Sequence, residues 1–336
     1  MAELLLELYS EEIPPQLQIE ARSQLKQFIE NSFKENNLKY KDLTVYSSPT
    51  RLTLYAKNLS EKIQIDAKEI KGPKVGSPDQ VLQGFIKAKS VSEKDLIEKE
   101  TEKGKFFFIK TQPQVILTEE LLKKIVPKAI GSINWKRSMR WSDHNLMWGR
   151  PLRSIFARFN NNKLLFKFDH LETNDEVIIE QDLIIKTKKI KNFAEYLAFL
   201  KSHEIIVDHE EREKIILKKI NSVAKSKQYK EHLNPKLLEE VVNIVEDPNL
   251  LLVNFNKDYL KIPQEIIIST LEKNQRYFPI FDSRDRLTNY FFVIANKKDE
   301  KKLITVGNKR VVEARLADAK FFWDKDRSKN LIKQIG

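Results

Sequence analysis

Aromatic and basic side chains cluster between residues 135 and 153, and their chemistry suits a polyanionic partner. The forked guanidinium of arginine forms paired hydrogen bonds with phosphate, and an indole ring stacks on an unpaired base. RNA-binding surfaces need both groups close together. An equally strong interpretation is that the tryptophans anchor a core and the arginines line them through cation–π contacts. The contact candidates are Lys136, Arg137, Arg140, Arg150 and Arg153, and the stacking candidates are Trp135, Trp141 and Trp148.

A second basic group lies in a predicted amphipathic helix near residue 312. Its apolar stripe recurs at helical spacing and consists of Val312, Leu316, Ala319 and Trp323. A run of lysines between residues 297 and 302 precedes this helix, and such a run is usually a solvated face. Outward-facing cations on the helix would add to a phosphate-binding surface. The contact candidates here are Lys309, Arg310 and Arg315.

The position of Arg315 allows two interpretations. On a helical wheel Arg315 falls inside the apolar stripe, where an unpaired charge is costly. Asp318 lies three residues farther along, so an ion pair between the two side chains explains Arg315 as well as a contact role does. Gly307-Asn308 predicts a turn and an N-cap at the start of this helix.

The arrangements that usually carry catalysis are missing from the sequence. None of the 5 histidines stands at metal-ligand spacing from another histidine or a carboxylate. The absence of cysteine excludes thiol nucleophiles, disulfides and cysteine-bound zinc. The chain also lacks a glycine-rich phosphate loop and a serine–histidine arrangement of the triad type. The sequence therefore predicts no catalytic residue and no metal site on this chain.

The charge balance is strongly positive, with 60 Lys and Arg against 48 Asp and Glu and a net charge of +12. This balance favours a polyanionic partner, nucleic acid first, although a lysine-rich surface that only keeps the protein soluble is the alternative. No apolar run is long enough to span a bilayer and no secretory signal is visible. We therefore expect a cytoplasmic protein without membrane contact.

The order of predicted elements is typical of an α+β protein with several domains and mixed or antiparallel sheets. The chain begins with a β-α-β-β order, and residues 60–80 contain two glycines and two prolines that predict an exposed loop. A polar stretch at residues 171–176 predicts a boundary. The predicted units are an N-terminal α+β domain, residues 1–170, and a second, more helical α+β domain, residues 171–336.

Helix starts and a hairpin are predicted in the second unit. Asn192, Asp208 and Asn234 each stand before a helical apolar stripe, where their side chains act as N-caps. Two apolar runs, residues 278–282 and 290–295, predict the arms of a hairpin.

Short motifs follow one another along the whole chain in a fixed order. The last reads GNKRVVEARLADAKFF over residues 307–322. The earlier ones are Ser10-Glu11-Glu12-Ile13-Pro14, Ser48-Pro49-Thr50-Arg51-Leu52, Glu69-Ile70-Lys71-Gly72-Pro73, Gln83-Gly84-Phe85, Met139-Arg140-Trp141, Arg150-Pro151-Leu152-Arg153, Glu210-Glu211-Arg212 and Asn274-Gln275-Arg276-Tyr277-Phe278-Pro279. In this order they resemble the beta-subunit family of bacterial heterotetrameric glycyl-tRNA synthetase.

The resemblance implies a noncatalytic tRNA-binding and alpha-docking part of glycine–tRNA ligase, which attaches glycine to its tRNA in an ATP-dependent reaction. It implies that the separate alpha subunit carries the active site and uses ATP with Mg, and that this chain binds no cofactor. The implied partners are the alpha subunit, in an assembly of two alpha and two beta subunits, and glycine tRNA.

The sequence also departs from the family pattern. The family's beta chain is longer and ends in an anticodon-binding domain, so we expect this chain to be a fragment without that domain. Residues 171–182 carry acids where the family usually has basic residues, which puts any role of that stretch in doubt. Two alternative functions stay open: a pure interaction scaffold that binds the alpha subunit without RNA, and a hydrolase that acts on mischarged tRNA.

Overall fold

The computed structural model describes residues 2–65, 69–89, 91–102, 104–110 and 114–328. The strands are β1 (Ala2–Ser10), β2 (Asp42–Ser48), β3 (Arg51–Leu59), β4 (Lys62–Ile65), β5 (Glu69–Lys74), β6 (Leu96–Thr101), β7 (Gly104–Lys110), β8 (Gln114–Leu117), β9 (Leu152–Phe159), β10 (Asn162–Lys163), β11 (Lys167–Phe168), β12 (Leu171–Asn174), β13 (Glu176–Gln181), β14 (Ile184–Lys189), β15 (Lys230–Glu231), β16 (Asn249–Asn254), β17 (Phe278–Phe281) and β18 (Leu287–Ala295). The α-helices are α1 (Pro15–Glu35), α2 (Asp79–Lys89), α3 (Thr118–Gly131), α4 (Phe193–Lys201), α5 (His209–Lys227), α6 (Pro235–Val242), α7 (Gln264–Ser269) and α8 (Leu303–Ser328).

A mixed sheet of strand order β11-β12-β9-β1-β3-β2 forms the base of the first unit. β1 lies inside it, antiparallel to both β3 and β9. Its leucines are buried on both faces: Leu4 and Leu6 pack with α1 and α3, and Leu5 packs with α4. A strand that is covered on both faces has a nearly continuous run of apolar residues in its sequence, and β1 has such a run. The predicted β-α-β-β start and the α+β class are confirmed.

Residues 171–207 extend the first sheet and then cover the face of it that is opposite α1. β12 runs parallel to β9 and hydrogen-bonds to it. Val177 of β13 and Tyr196 of α4 share one apolar cluster with Leu5 and Phe156 of the sheet. The strand that starts at residue 171 thus belongs to the first sheet, and the boundary between residues 170 and 171 stays a prediction.

The predicted loop at residues 60–80 is wrong, because β4 and β5 lie within it. β4 pairs with β8, and β5, β7 and β6 form a small three-stranded sheet. Gly72 serves close packing here: a Cβ at this position would lie 2.7 Å from the Phe85 ring of α2. The glycines and prolines of residues 60–80 therefore belong to a small packed sheet as well as to turns.

The second sheet, of strand order β15-β17-β18-β16, carries helices on both faces. Ile216 of α5 and Val241 of α6 pack on one face, and Val312 and Leu316 of α8 pack on the other. The predicted hairpin is confirmed, since β17 and β18 are antiparallel neighbours. The N-caps are confirmed as well, with side chains of Asn192, Asp208 and Asn234 accepting main-chain hydrogen bonds.

A buried polar cluster joins the first sheet to the helical part of the chain. Arg51 is 2% exposed and Glu7 is 1% exposed. Arg51 Nε lies 3.1 Å from Glu7 Oε2, and Arg51 Nη1 lies 3.7 Å from Glu246 Oε1. Tyr196 donates its hydroxyl hydrogen to Glu7 Oε2 at 2.5 Å. Burial raises the pKa of Glu7, and the attraction of Arg51 opposes that shift.

A second buried arginine, Arg212 of α5, ties three segments together. Its guanidinium donates to the carbonyl oxygens of Ser47 at 2.9 Å, Ile206 at 2.6 Å and Val242 at 2.9 Å. Burial lowers the pKa of Arg212 to about 10. Because the three carbonyls lie in β2, before α5 and at the end of α6, one side chain fixes their spacing. We call Glu7, Arg51, Tyr196, Arg212 and Glu246 the joint network.

Removing Arg51 should destabilise the chain severely. Arg51→Met leaves the Glu7 carboxyl buried without its cation, and we expect a loss of about 3–5 kcal/mol in the free energy of unfolding. Urea unfolding followed by circular dichroism measures this loss. Arg153→Met is the control, since Arg153 pairs with Glu180 at 35% side-chain exposure and exposed pairs contribute about 0–1 kcal/mol. A similarly small loss for Arg51→Met would contradict the role of the joint network.

Stability should fall in mild acid because of His209, the first residue of α5. Burial lowers the pKa of His209 to about 4, with help from the charges of Arg22 and Arg212. An unfolded histidine has a pKa of about 6.5, so the unfolded chain binds more protons between these values. Stability is therefore lost as the pH falls from about 6.5 towards 4.

The expected loss from His209 is about 1 kcal/mol, because its partly exposed side chain is screened by water. Urea unfolding midpoints at neutral and at mildly acid pH measure it. His209→Gln should flatten this part of the pH profile, and an unchanged profile in the variant would assign the effect to another group.

Candidate RNA-contact surfaces

Two tryptophans anchor the tryptophan–arginine segment, which we define as residues 135–153. Trp148 is 1% exposed and Trp135 is 9% exposed, and their ring centroids lie 4.8 Å apart. Trp148 Nε1 donates to Ser10 Oγ at 3.2 Å. A Cβ on Gly149 would lie 2.5 Å from the Trp135 ring, so glycine is needed there. The stacking role predicted for Trp135 and Trp148 is wrong, because both rings fill the core.

Trp141 is the stacking candidate that keeps part of its surface exposed. Its ring meets His170 edge-on, with centroids 5.9 Å apart. His170 in turn stacks on His144 at 3.6 Å and holds Asp169 Oδ1 2.9 Å from its Nδ1. These contacts position the Trp141 ring at the surface of the segment.

The basic residues of the segment differ in what they already bind. Arg137 and Arg140 are exposed and form no ion pair with any residue that the structure describes. Lys136 Nζ lies 2.5 Å from Glu20 Oε1, and the half-buried Arg150 donates to the Gly149 carbonyl at 2.8 Å. Arg153 bridges two acids, Glu180 at 2.5 Å and Glu11 at 3.2 Å. Arg137 and Arg140 are thus the cations of this segment that stay free for an anion.

α8 carries the second group of candidates, and its buried stripe is confirmed. Val312 and Leu316 are fully buried, and Ala319 and Trp323 pack beside them. The predicted start at Gly307-Asn308 is wrong, because α8 begins at Leu303. The side chain of Asp299, which precedes the helix, accepts hydrogen bonds from the main-chain amides of Ile304 and Thr305 in its first turn.

The ion pair with Asp318, the alternative explanation of Arg315, is not formed: no salt bridge joins the two side chains, and both are exposed. The stripe is narrow because α8 packs against one side of the second sheet, which leaves Arg315 at its solvent edge. Arg310 is exposed and, like Arg315, forms no ion pair within the described part of the chain. Lys309 is half-buried and lies 3.9 Å from Glu313 Oε1.

Two of the sequence motifs meet at the start of α8. The Tyr277 hydroxyl donates to Asn308 Oδ1, and Asn308 Nδ2 donates to the Ile304 carbonyl at 2.7 Å. Tyr277 follows a π-helical turn at Thr270–Asn274 and an arginine, Arg276, with a positive φ of 58°. Such turns and backbone conformations are frequent at functional sites. The motif at residues 274–279 marks this junction in the sequence, but the spacing of its residues predicts no site there.

Two cavities flank this junction. One, of about 810 Å³, is lined by seven carboxylates and four cations. Two ion pairs involving its lining residues are Lys297–Asp182 and Lys298–Glu204, both at 2.5 Å. Its acidic lining disfavours phosphate. The other, of about 450 Å³, has amide-bearing and apolar side chains in its lining.

Within the described ranges, no group of three or more histidines and carboxylates is placed to hold a metal ion. The described helices include none that combines the length and apolar character of a membrane span.

Comparison with known proteins identifies the family. The family described as "Glycyl-tRNA synthetase beta subunit" matches residues 4–336. The glycine–tRNA ligase beta subunit of Rickettsia typhi is 35% identical over 332 residues, which are 98% of this chain and 50% of the relative. The corresponding proteins of Rickettsia prowazekii and Rickettsia felis are 34% and 32% identical over 100% of this chain.

This chain spans about half the length of these curated relatives, 51% of the Rickettsia felis protein. The relatives are named as subunits of an aminoacyl-tRNA synthetase, and the order of motifs along this chain agrees with that name. The chain belongs to the glycyl-tRNA synthetase beta-subunit family.

Proposed function

We propose that this chain is a tRNA-binding and alpha-docking part of glycine–tRNA ligase and carries no active site of its own. The observation that supports RNA binding is that several exposed arginines have no ion pair in the described part of the chain. Among the sequence candidates these are Arg137, Arg140, Arg310 and Arg315. A guanidinium without an acid partner binds phosphate without first breaking a pair.

The division of labour with a partner follows from this proposal. The alpha subunit binds ATP with Mg and glycine, and two alpha subunits assemble with two beta subunits. This chain holds the tRNA so that its acceptor meets the activated glycine, and positioning of this kind can supply a large part of a rate enhancement. The relatives' name as beta subunits supports the existence of a partner subunit.

Binding of tRNA should depend steeply on salt. Fluorescence anisotropy with a labelled glycine-tRNA transcript measures affinity between about 50 and 200 mM salt. Replacing both Arg310 and Arg315 by alanine should lower the salt slope by roughly 1–2, since each phosphate contact adds about one. Arg286→Ala is the control, because this exposed arginine already pairs with Asp282 at 2.8 Å. A weak, flat salt response of the unaltered chain would leave only the scaffold function.

Docking and charging form the second test. The chain should co-purify with the alpha subunit, and glycine charging of tRNA should be faster when both are present than with the alpha subunit alone. Charging that is indifferent to this chain would contradict the proposal. Release of amino acid from mischarged tRNA by the isolated chain would favour the hydrolase instead.

A further inference from the structure

A cavity beside α8 has the size and lining of a ligand pocket. It measures about 450 Å³, within the range of roughly 300–1,000 Å³ that is usual for small-ligand sites. Its apolar lining includes the buried Val241 of α6, the buried Val293 of β18 and Ile244, which follows α6. Ile244 is 41% exposed, so part of this lining faces solvent.

Two side-chain amides at this cavity have hydrogen-bonding capacity left. Asn296 Oδ1 accepts from the main-chain amides of Glu246 at 2.6 Å and Asp247 at 3.0 Å. Because both of these partners are donors, they fix the amide orientation, and Asn296 Nδ2 remains a donor without a partner among the described residues, in a side chain that lines both cavities. The Gln275 amide forms no hydrogen bond with any described residue. The cavity therefore offers a fixed donor together with a group that both donates and accepts.

The backbone that presents Gln275 is held in an uncommon conformation. Gln275 lies between the π-helical turn Thr270–Asn274 and Arg276, whose φ is 58°. Arginine rarely adopts positive φ, and a neighbouring π turn in the same segment is rarer still. This combination of uncommon backbone conformations is typical of sites that bind a ligand.

The charges around the cavity favour an anionic ligand over a cationic one. Its lining includes Arg276 and Lys297 and contains no carboxylate. Arg276 Nε donates to Glu240 Oε1 at 2.9 Å, and Lys297 Nζ lies 2.5 Å from Asp182 Oδ1. Both acid partners lie outside the cavity lining, so no carboxylate at the cavity itself repels a phosphate beside it.

Gly307 independently indicates that a bound partner comes close to the surface of α8. It lies inside α8, where glycine is less stable than alanine. A Cβ at Gly307 would meet no atom within 4 Å. Packing within the described chain therefore does not require glycine here. Close approach of a bound partner's backbone to the helix surface would require it.

We propose that this cavity takes one unpaired nucleobase of a bound tRNA. The base packs on the exposed side chain of Ile244, and its polar edge bonds the amides of Gln275 and Asn296. Amide side chains pair with base edges because both present a donor beside an acceptor. The flanking phosphates lie towards Arg310 and the open surface at Gly307. This assignment rests on the proposed tRNA-binding function.

Neutral substitutions in the cavity test the assignment. The double variant Ile244→Gln with Gln275→Ala should weaken tRNA binding roughly tenfold, the scale of losing one amide–base pairing. Its salt slope should match that of the unaltered chain, because no phosphate contact is lost. Leu260→Gln is the matched control, since Leu260 is an apolar side chain of 37% exposure outside the cavity lining.

Free mononucleotides provide a second readout. Saturation-transfer NMR with the four 5′-mononucleotides should show contact at the base protons, which the double variant loses and Leu260→Gln keeps. Unchanged tRNA affinity in the double variant would overturn the assignment while tRNA binding itself stands. Loss of alpha-subunit co-purification at unchanged tRNA affinity would overturn it in favour of a protein segment. Absence of tRNA binding by the unaltered chain would instead refute the proposed function.

Discussion

The pair of Arg51 with Glu7 is the interaction on which the arrangement of this chain depends. Glu7 lies in the middle of β1, so its carboxylate has no route to water and needs a cation inside the core. Arg51 supplies that cation from β3 and reaches Glu246 beyond α6. A buried ion pair tolerates little displacement, because separating the two charges weakens the attraction that offsets the cost of burying them. Sheet and helices are therefore held in one relative position by charge as well as by apolar packing.

The same network reaches the proposed nucleobase cavity through Glu246. Its carboxylate accepts hydrogen bonds from Ser48 at 2.5 Å and Thr50 at 3.2 Å, while its main-chain amide donates to Asn296. The side-chain amide of Asn296, which lines the cavity, is thus oriented by Glu246, a member of the joint network. The position of the proposed cavity therefore depends on the position of the first sheet. The rigidity of the joint network limits how far the cavity can change shape.

Much of the fold could be predicted from the sequence, because it follows from local patterns. The stripe of Val312 and Leu316 and the N-cap at Asp208 depend on spacing within a few residues. The roles of Arg51 and Arg212 could not be predicted, since a sequence does not show that an arginine will be enclosed by carbonyls and acids from distant segments. For Trp135 and Trp148 the pattern left core and RNA contact equally open, and only packing against Gly149 and Ser10 decides.

These arginines also explain why net charge is a poor guide to the proposed RNA surface. The charge of Arg51 is matched internally and that of Arg212 is spread over carbonyls, whereas Arg137 and Arg310 face solvent without an acid. Salt screens exposed charges over a Debye length of about 8 Å at physiological ionic strength, and it screens buried pairs far less. Ionic strength that releases a polyanion from the outer arginines therefore leaves the joint intact. Arginine thus serves both the fold and the proposed RNA binding, and burial separates the two roles.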